Sequence, residues 1–254
     1  MRIIISPAKK MNIDTDTLEF HDLPIFLENT KEIKTWLLEQ GFEKLKDLWG
    51  CNEKIAMQNY ERLHNLDLEK QLTPAILSYE GIQYQYMAPA VFEERMLSYI
   101  QKNLRILSGF YGMLKPMDGV VPYRLEMQAK AAIGGTGNLY EYWGERLYSR
   151  VKDESGIFVN LASKEYSKCI EKYKEKDDFF LTCVFAEKVK GKVVQKGTYA
   201  KMARGEMVRF MAENQVQKVE QIKEFNRLDF CFCEELSKED EYVFLRGEKE
   251  ESTI

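Results

Sequence analysis

The chain of 254 residues is 44% hydrophobic, a fraction typical of globular proteins, and we expect a single domain over residues 1–254. Its 37 basic and 41 acidic residues give a net charge of −4, which excludes a general attraction of the whole molecule to nucleic acid or to anionic membranes. Five cysteines favour reduced thiols over a disulfide framework, and no apolar run suits a signal peptide or a membrane span, so we expect a cytoplasmic protein.

Charge is unevenly distributed along the chain. Residues 188–209 contain seven Lys or Arg and one Glu, a local balance of +6. Residues 234–251 contain eight acids and three cations, a balance of −5, and we expect an acidic C-terminal tail from about residue 234. A basic patch can therefore exist on this acidic protein.

The first hundred residues contain one strand and several helices. The β-branched run RIII predicts a buried strand over residues 2–5, which ends at Ser6 with Lys9 just beyond. Ligands bind beyond the C-terminal ends of strands in open α/β sheets, so this end is a candidate site. Apolar periodicity and breaker residues predict helices over about 28–41, 52–64, 74–81 and 89–103.

The stretch from Leu104 to Met127, LRILSGFYGMLKPMDGVVPYRLEM, is the most distinctive in the chain. It predicts extended segments joined by tight turns, the first of which contains Gly109 and Gly112. Two such glycines allow the backbone to approach another surface closely, either the protein's own core or a bound phosphate. The first interpretation needs only an ordinary turn. The second is favoured by the cations around the turns, which are Arg105, Lys115, Arg124 and Lys130.

The second half of the chain alternates strands and helices. Asn138 is a predicted helix cap, and IFVNLAS predicts a second buried strand, whose last residue, Ser163, can cap the next helix. The following pattern predicts a hairpin that turns at Lys190 and Gly191, a helix over about 198–214, and a terminal hairpin of residues 228–234 and 242–246. This alternation indicates an α+β (mixed α/β) fold.

Polar side chains follow the ends of these apolar runs. They are Ser6 and Lys9 after the first strand, Asn160, Ser163 and Glu165 after IFV, and Tyr123, Arg124 and Glu126 in the central stretch. If the strands are neighbours in one sheet, these ends converge, where cations can hold phosphates and Tyr can stack on a base. A Glu there is either a general base or a salt-bridge partner of the cations, and for Glu126 and Glu165 we favour the salt bridge.

Other catalytic and cofactor chemistry has little support. Histidine occurs only at positions 21 and 64, in no catalytic pattern. Cys231 and Cys233 fall on one face of a predicted strand, which permits a shared metal or a redox pair, but no second pair of ligands accompanies them. The chain has neither GxxxxGK[ST] nor a strand-anchored GxGxxG, so we expect no cofactor and no metal.

Five segments match motifs of a known family: SPAK (6–9), the 104–127 stretch, NLYEYWG (138–144), VNLASKEY (159–166) and YAKMARGEMVRF (199–210). Over residues 1 to about 232 the chain resembles the YaaA family of bacterial peroxide-stress proteins. The resemblance implies a cytosolic protein that limits damage to DNA and proteins when peroxide meets intracellular iron. It also implies a family-specific fold with a helix-hairpin-helix-like element, a positively charged cleft, and binding to double-stranded or branched DNA.

Carried over by position, the resemblance places the hairpin at Leu107 to Leu114. It places the cleft cations at Lys9, Arg105, Arg124, Lys201, Arg204 and Arg209. To these nucleic-acid contacts the residue patterns add Gly109, Gly112, Lys115 and Tyr123.

Three hypotheses follow. The first is a DNA-binding protein with little or no catalysis, a monomer that grips backbone phosphates without reading sequence. The second is an enzyme acting on a nucleobase or nucleoside, with Ser6, Asn160, Ser163 and Glu165 in its pocket and Glu126, Asn160 and Ser163 as candidate catalytic residues. The third is an iron- or thiol-based sensor that uses Cys231 and Cys233.

Overall fold

The computed structural model describes residues 1–247, which contain twelve β-strands and ten α-helices. The strands are β1 Arg2–Ile5, β2 Lys10–Met11, β3 Thr73–Pro74, β4 Tyr79–Glu80, β5 Leu104–Ser108, β6 Gly112–Leu114, β7 Gly119–Val120, β8 Ile157–Leu161, β9 Phe179–Val189, β10 Lys192–Val194, β11 Phe230–Phe232 and β12 Glu241–Arg246. The helices are α1 Leu27–Leu38, α2 Phe42–Trp49, α3 Glu53–His64, α4 Ala75–Ser78, α5 Ile82–Met87, α6 Glu94–Asn103, α7 Leu139–Trp143, α8 Arg146–Val151, α9 Lys164–Glu171 and α10 Gly197–Glu213.

Eight strands form one sheet in the order β11-β12-β9-β8-β1-β5-β6, with β10 paired to β9. The five strands from β12 to β5 are mutually parallel, whereas β6, β10 and β11 pair antiparallel. Helix α6 contacts β5, helix α9 contacts β1, and helix α10 contacts β9. The predicted mixed α/β fold is confirmed, and so are the hairpin at Lys190 and Gly191 and the terminal hairpin.

Two apolar runs form the centre of this sheet. Ile3 of β1 lies beside Val159 of β8, and Ile5 lies beside Leu161, all four fully buried. β-Branched residues fit a strand buried on both faces, which is why these short runs were recognisable in the sequence. Their parallel pairing sets the loops after β1 and β8 next to each other.

The segment Leu107 to Leu114 is a buried β-hairpin formed by β5 and β6. The prediction of a helix-hairpin-helix-like element at these residues is therefore wrong. Gly109 packs so tightly that an added Cβ would lie 2.8 Å from the Leu125 carbonyl oxygen. Gly112 has a φ of +72° and faces the Trp143 ring. Both glycines therefore allow close packing within the protein's own core, which is the first of the two interpretations of this turn.

Other elements differ from prediction in detail. The helix expected from Asn138 is two helices, α7 and α8, interrupted where Gly144 adopts a φ of +52°. The expected cap is present, because the Asn138 side chain accepts from the Glu141 N–H at 3.1 Å. The helix expected from Pro89 begins with a 3-10 turn, and α6 starts at Glu94. Helix α2 was not predicted.

The acidic segment from about residue 234 contributes β12 to the interior of the sheet, where Val243 and Phe244 are buried. Its last acids, Glu248, Glu250 and Glu251, lie outside the described residues. Among residues 1–247, no helix combines the length and the apolar character needed to cross a bilayer.

Candidate functional site

A cavity of about 430 Å³ lies beyond the C-terminal ends of β1 and β8. Its walls are the loop after β1, helix α5, the extended segment after β7, the first turn of α9, and helix α10. The cations that line it are Lys9, Lys10, Arg124, Lys201 and Arg204. The carboxylates that line it are Glu80, Glu126 and Glu165. Positive groups thus outnumber negative ones in a recess of small-molecule size, which suits an anionic ligand.

The two strand ends that the sequence brings together are joined by hydrogen bonds. Ser6 Oγ accepts from the Ser163 N–H at 2.8 Å and donates to Ser163 Oγ at 3.2 Å. The Tyr84 hydroxyl donates to the Ser6 carbonyl at 2.9 Å, which ties α5 to the same point. Ser163 occupies the cap position of α9 without a capping side-chain bond, since its hydroxyl faces Ser6 instead. These contacts fix the floor of the cavity.

Glu126 forms the salt bridge favoured for it. Its Oε1 lies 2.8 Å from Lys9 Nζ and 3.8 Å from Arg124 Nη2, so one carboxylate is shared by two cations. Arg124 Nη2 also donates to the Trp49 carbonyl at 3.3 Å. The shared carboxylate leaves this corner of the cavity with a net positive charge.

Glu165 does not form the expected salt bridge with any of residues 1–247. One of its oxygens accepts from the Gln128 N–H at 3.2 Å. Burial is the main cause that raises the pKa of this carboxyl above its ordinary value, and the nearby charge of Glu126 adds to the effect. Glu165 is therefore the cavity's better candidate for a proton donor or acceptor.

Tyr123 lines the cavity, but its ring belongs to the core. The ring stacks on Phe110, with centroids 4.8 Å apart. Its hydroxyl bonds Ser108 Oγ at 2.6 Å and the Tyr79 hydroxyl at 2.8 Å, and burial raises its pKa to about 12. Little of the ring surface is free, so the structure gives little support to the base-stacking role that the sequence suggested for Tyr123.

Helices α5 and α10 form the wall opposite the strand ends. They touch at Gly205, where an added Cβ would collide with the Gln83 carbonyl oxygen and lie 3.0 Å from the Met87 nitrogen. This close approach sets Arg204 and Lys201 beside Gln83 at the cavity. Lys201 and Arg204 are three residues apart and therefore project from one side of α10.

Several predicted site residues lie elsewhere. Arg105 and Lys115 line a separate cavity of about 740 Å³, where Arg105 donates to the Leu104 carbonyl and is mostly buried. Arg209 is paired with Glu213 at 2.8 Å. Asn160 lies outside the cavity and supports the turn after β8, since its side-chain Oδ1 accepts from the Ala162 N–H at 2.9 Å. Gly109 and Gly112 lie in the core, as described.

Sequence reasoning missed Gln83 and Glu80, whereas Lys10 follows Lys9 just beyond the first strand, where a ligand site was expected. Both lie in the segment YEGIQYQYM (79–87), whose closely spaced aromatic residues give no sign of a polar site. A second recess of about 610 Å³ shares Lys9 and Glu126 with the cavity, and its other charged residues are Lys44, Lys130 and Asp47. We call the cavity and this second recess together the basic groove, since their lining contains seven Lys or Arg and four Asp or Glu.

The cysteine pair at the end of β11, Cys231 and Cys233, is separate from the basic groove. Cys231 is exposed and Cys233 half-buried. Over residues 1–247, no three His, Cys, Asp or Glu side chains are grouped so that they could hold a metal ion.

Comparison with known proteins identifies the family. Residues 1–236 match the family described as peroxide stress protein YaaA. A UPF0246 protein of Agathobacter rectalis is 58% identical, covering 97% of this chain and 99% of its own. UPF0246 proteins of Lachnoclostridium phytofermentans and Pediococcus pentosaceus are 54% and 52% identical, each covering 98% of this chain and 97% and 99% of their own. The chain belongs to the YaaA family of peroxide stress proteins.

Proposed function

We propose that this protein binds double-stranded or branched DNA by gripping backbone phosphates in the basic groove, without reading base sequence. The observation that supports the proposal most directly is the meeting of Lys9, Arg124, Lys201 and Arg204 at one cavity. Lys44 and Lys130 in the second recess add two cations beyond the cavity, beside the single further acid Asp47. Phosphate contacts of this kind position a protein on DNA and depend strongly on salt.

The family name supports a role in the response to peroxide stress. Within that response, the proposed role of DNA binding is to limit iron- and peroxide-driven damage, with the protein acting as a cytoplasmic monomer. The net charge of −4 repels DNA over the rest of the surface, so binding is confined to the groove and of modest affinity.

The groove is tested by charge reversal. Arg124→Glu with Arg204→Glu is expected to abolish retention of duplex DNA at low salt. Because both side chains are partly buried, a second pair, Lys9→Glu with Lys201→Glu, changes two exposed lysines, of which Lys9 also loses its salt bridge to Glu126. For that pair we expect at least a tenfold loss of affinity, and a log–log salt slope lower by about two, since about one counterion is released per contact. Fluorescence anisotropy across a salt series measures both quantities.

A matched control reverses Lys174 and Lys176, two exposed lysines before β9, at the opposite end of the sheet from the groove. The control has the same net charge as the groove variants and should bind nearly as the unchanged protein does. Equal losses in both variants would show a general charge effect and overturn the groove assignment.

A second candidate is an enzyme that acts on a nucleobase or nucleoside in the same cavity. The raised pKa of Glu165 favours it, because phosphate binding does not require a half-buried carboxylate. Release of free base from DNA or nucleoside, lost in Glu165→Gln, would establish it. No release from either substrate would remove it.

A further inference from the structure

We propose that the cavity contains a binding site for a terminal phosphate, a phosphomonoester, held by Arg124, Arg204 and Gln83. The group can belong to the end of a DNA strand or to a free nucleotide, since both present the same dianion. The inference rests on the proposed function in that it assigns a specific ligand group to the same cavity.

The first argument is uncompensated positive charge away from water. The Arg124 side chain is only 11% exposed, and the carboxylate beside it, Glu126, is engaged more closely by Lys9. Arg204 forms no ion pair with any carboxylate of residues 1–247, and burial lowers its pKa. Buried charges in proteins are normally paired, so one guanidinium group without an ion pair, beside another that shares its carboxylate with a lysine, favours a bound anion.

The second argument is a set of unsatisfied donors on three different elements. The Nε atoms of Arg124 and Arg204 and the amide nitrogen of Gln83 are buried and lack a hydrogen-bond partner among the described residues. Gln83 is only 7% exposed, yet it lines the cavity. Buried polar groups are seldom left unpaired, and three such groups on residues that line one recess favour a ligand as their partner.

The third argument distinguishes a terminal phosphate from an internal one. A phosphodiester has one negative charge and continues in both directions, whereas a monoester has about −1.5 to −2 charges and three free oxygens. Two guanidinium forks and an amide match the monoester in charge and in donors. The cavity walls also include the buried Tyr84 and Tyr166, and its volume of about 430 Å³ admits one nucleotide rather than a duplex.

The test uses duplexes of one sequence that bear a phosphate at the 5′ end, at the 3′ end, or at neither. We expect the intact protein to bind a phosphorylated end at least tenfold more tightly, as about 1.5 kcal/mol from one charged hydrogen bond corresponds to that factor. Gln83→Leu and Arg204→Gln should bring this preference close to one. The Lys174→Glu, Lys176→Glu control should keep it.

Gln83→Leu also has a readout in the absence of DNA. Replacing an unpaired buried amide by an apolar side chain of similar size should leave the thermal midpoint unchanged or raise it. A large fall in the midpoint would mean that Gln83 has a structural role, and it would overturn the assignment of this residue.

The phosphate can belong to a DNA strand end or to a free nucleotide, and calorimetry distinguishes the two. The ligands are a nucleoside 5′-monophosphate, its nucleoside and inorganic phosphate. Binding of the monophosphate, with loss of binding in Arg204→Gln, supports a free nucleotide. An end preference on DNA without monophosphate binding supports a strand end. If duplexes bind equally with and without terminal phosphates and the monophosphate does not bind, the inference fails while DNA binding stands. If only the monophosphate binds, DNA binding fails and the inference stands.

Discussion

Gly205→Ala is expected to destabilise the protein by about 3 kcal/mol and to impair binding at the cavity, because it adds a methyl group where two helix backbones meet. The added Cβ would collide with the Gln83 carbonyl oxygen and lie only 3.0 Å from the Met87 nitrogen. Both are backbone atoms, which cannot rotate away as the end of a side chain can, so α5 and α10 must separate. Chemical denaturation measures the loss.

Gly197→Ala is the matched control, since it makes the same change at the first residue of the same helix. Nothing lies within 4 Å of the Cβ added there, and alanine is the better helix former, so stability should stay the same or rise slightly. A Gly205→Ala protein as stable as this control would show that the helices are less closely packed than described here.

The second large effect concerns pH and Asp118. This carboxyl is 2% exposed, and burial raises its pKa to about 7. One oxygen accepts from the Lys115 N–H at 2.9 Å, and the other has no partner among residues 1–247. The charged groups that face it are Lys115 and Arg105, which oppose the shift, and Asp22, which adds to it. The folded protein therefore keeps a proton that the unfolded chain releases near pH 4.

The sign follows from this difference in pKa. Below about pH 4, Asp118 is protonated in both the folded and the unfolded state, so its burial costs no ionisation energy. As the pH rises towards 7, only the unfolded chain loses this proton, and the free energy of unfolding falls. Asp118→Asn keeps an acceptor for the Lys115 N–H and cannot ionise, so the variant should gain on the order of a few kcal/mol over the unchanged protein between pH 4 and pH 8. Urea unfolding at a series of pH values measures this gain.

Asp16→Asn provides the control, because Asp16 is exposed and the substitution makes the same chemical change, from a carboxyl to an amide. Its stability should follow that of the unchanged protein at every pH. Parallel curves for Asp118→Asn and the unchanged protein would mean that Asp118 ionises normally in the fold.

The sequence predicted the features that local patterns determine. β1 and β8 were recognisable because each is a short β-branched or apolar run that ends at a polar turn. Their pairing then brings Ser6 to Ser163. The interrupted helix at Gly144 was missed because its neighbours have unbroken helical periodicity, and a single glycine is tolerated in many helices.

The wall formed by Gln83 could not be predicted, because it depends on contact between helices that are far apart in the chain. Helical geometry could partly distinguish which cations of α10 face the cavity and which do not. Arg209 follows Arg204 by five residues, about 140° around the helix, so the two could not face one cavity, whereas Lys201 and Arg204 could. For Arg105, the strand pattern alone gave no indication that its side chain would fold back onto the preceding helix end.

The position of Glu126 between Lys9 and Arg124 has a consequence for how ligands bind. Both recesses of the basic groove use the same Lys9 and the same carboxylate. An anion that draws Lys9 into the outer recess leaves Glu126 to neutralise Arg124 alone, which weakens the attraction for a second anion within. By thermodynamic reciprocity, filling the inner recess should weaken the outer one by the same factor, so we expect occupancy of the two recesses to be anticooperative.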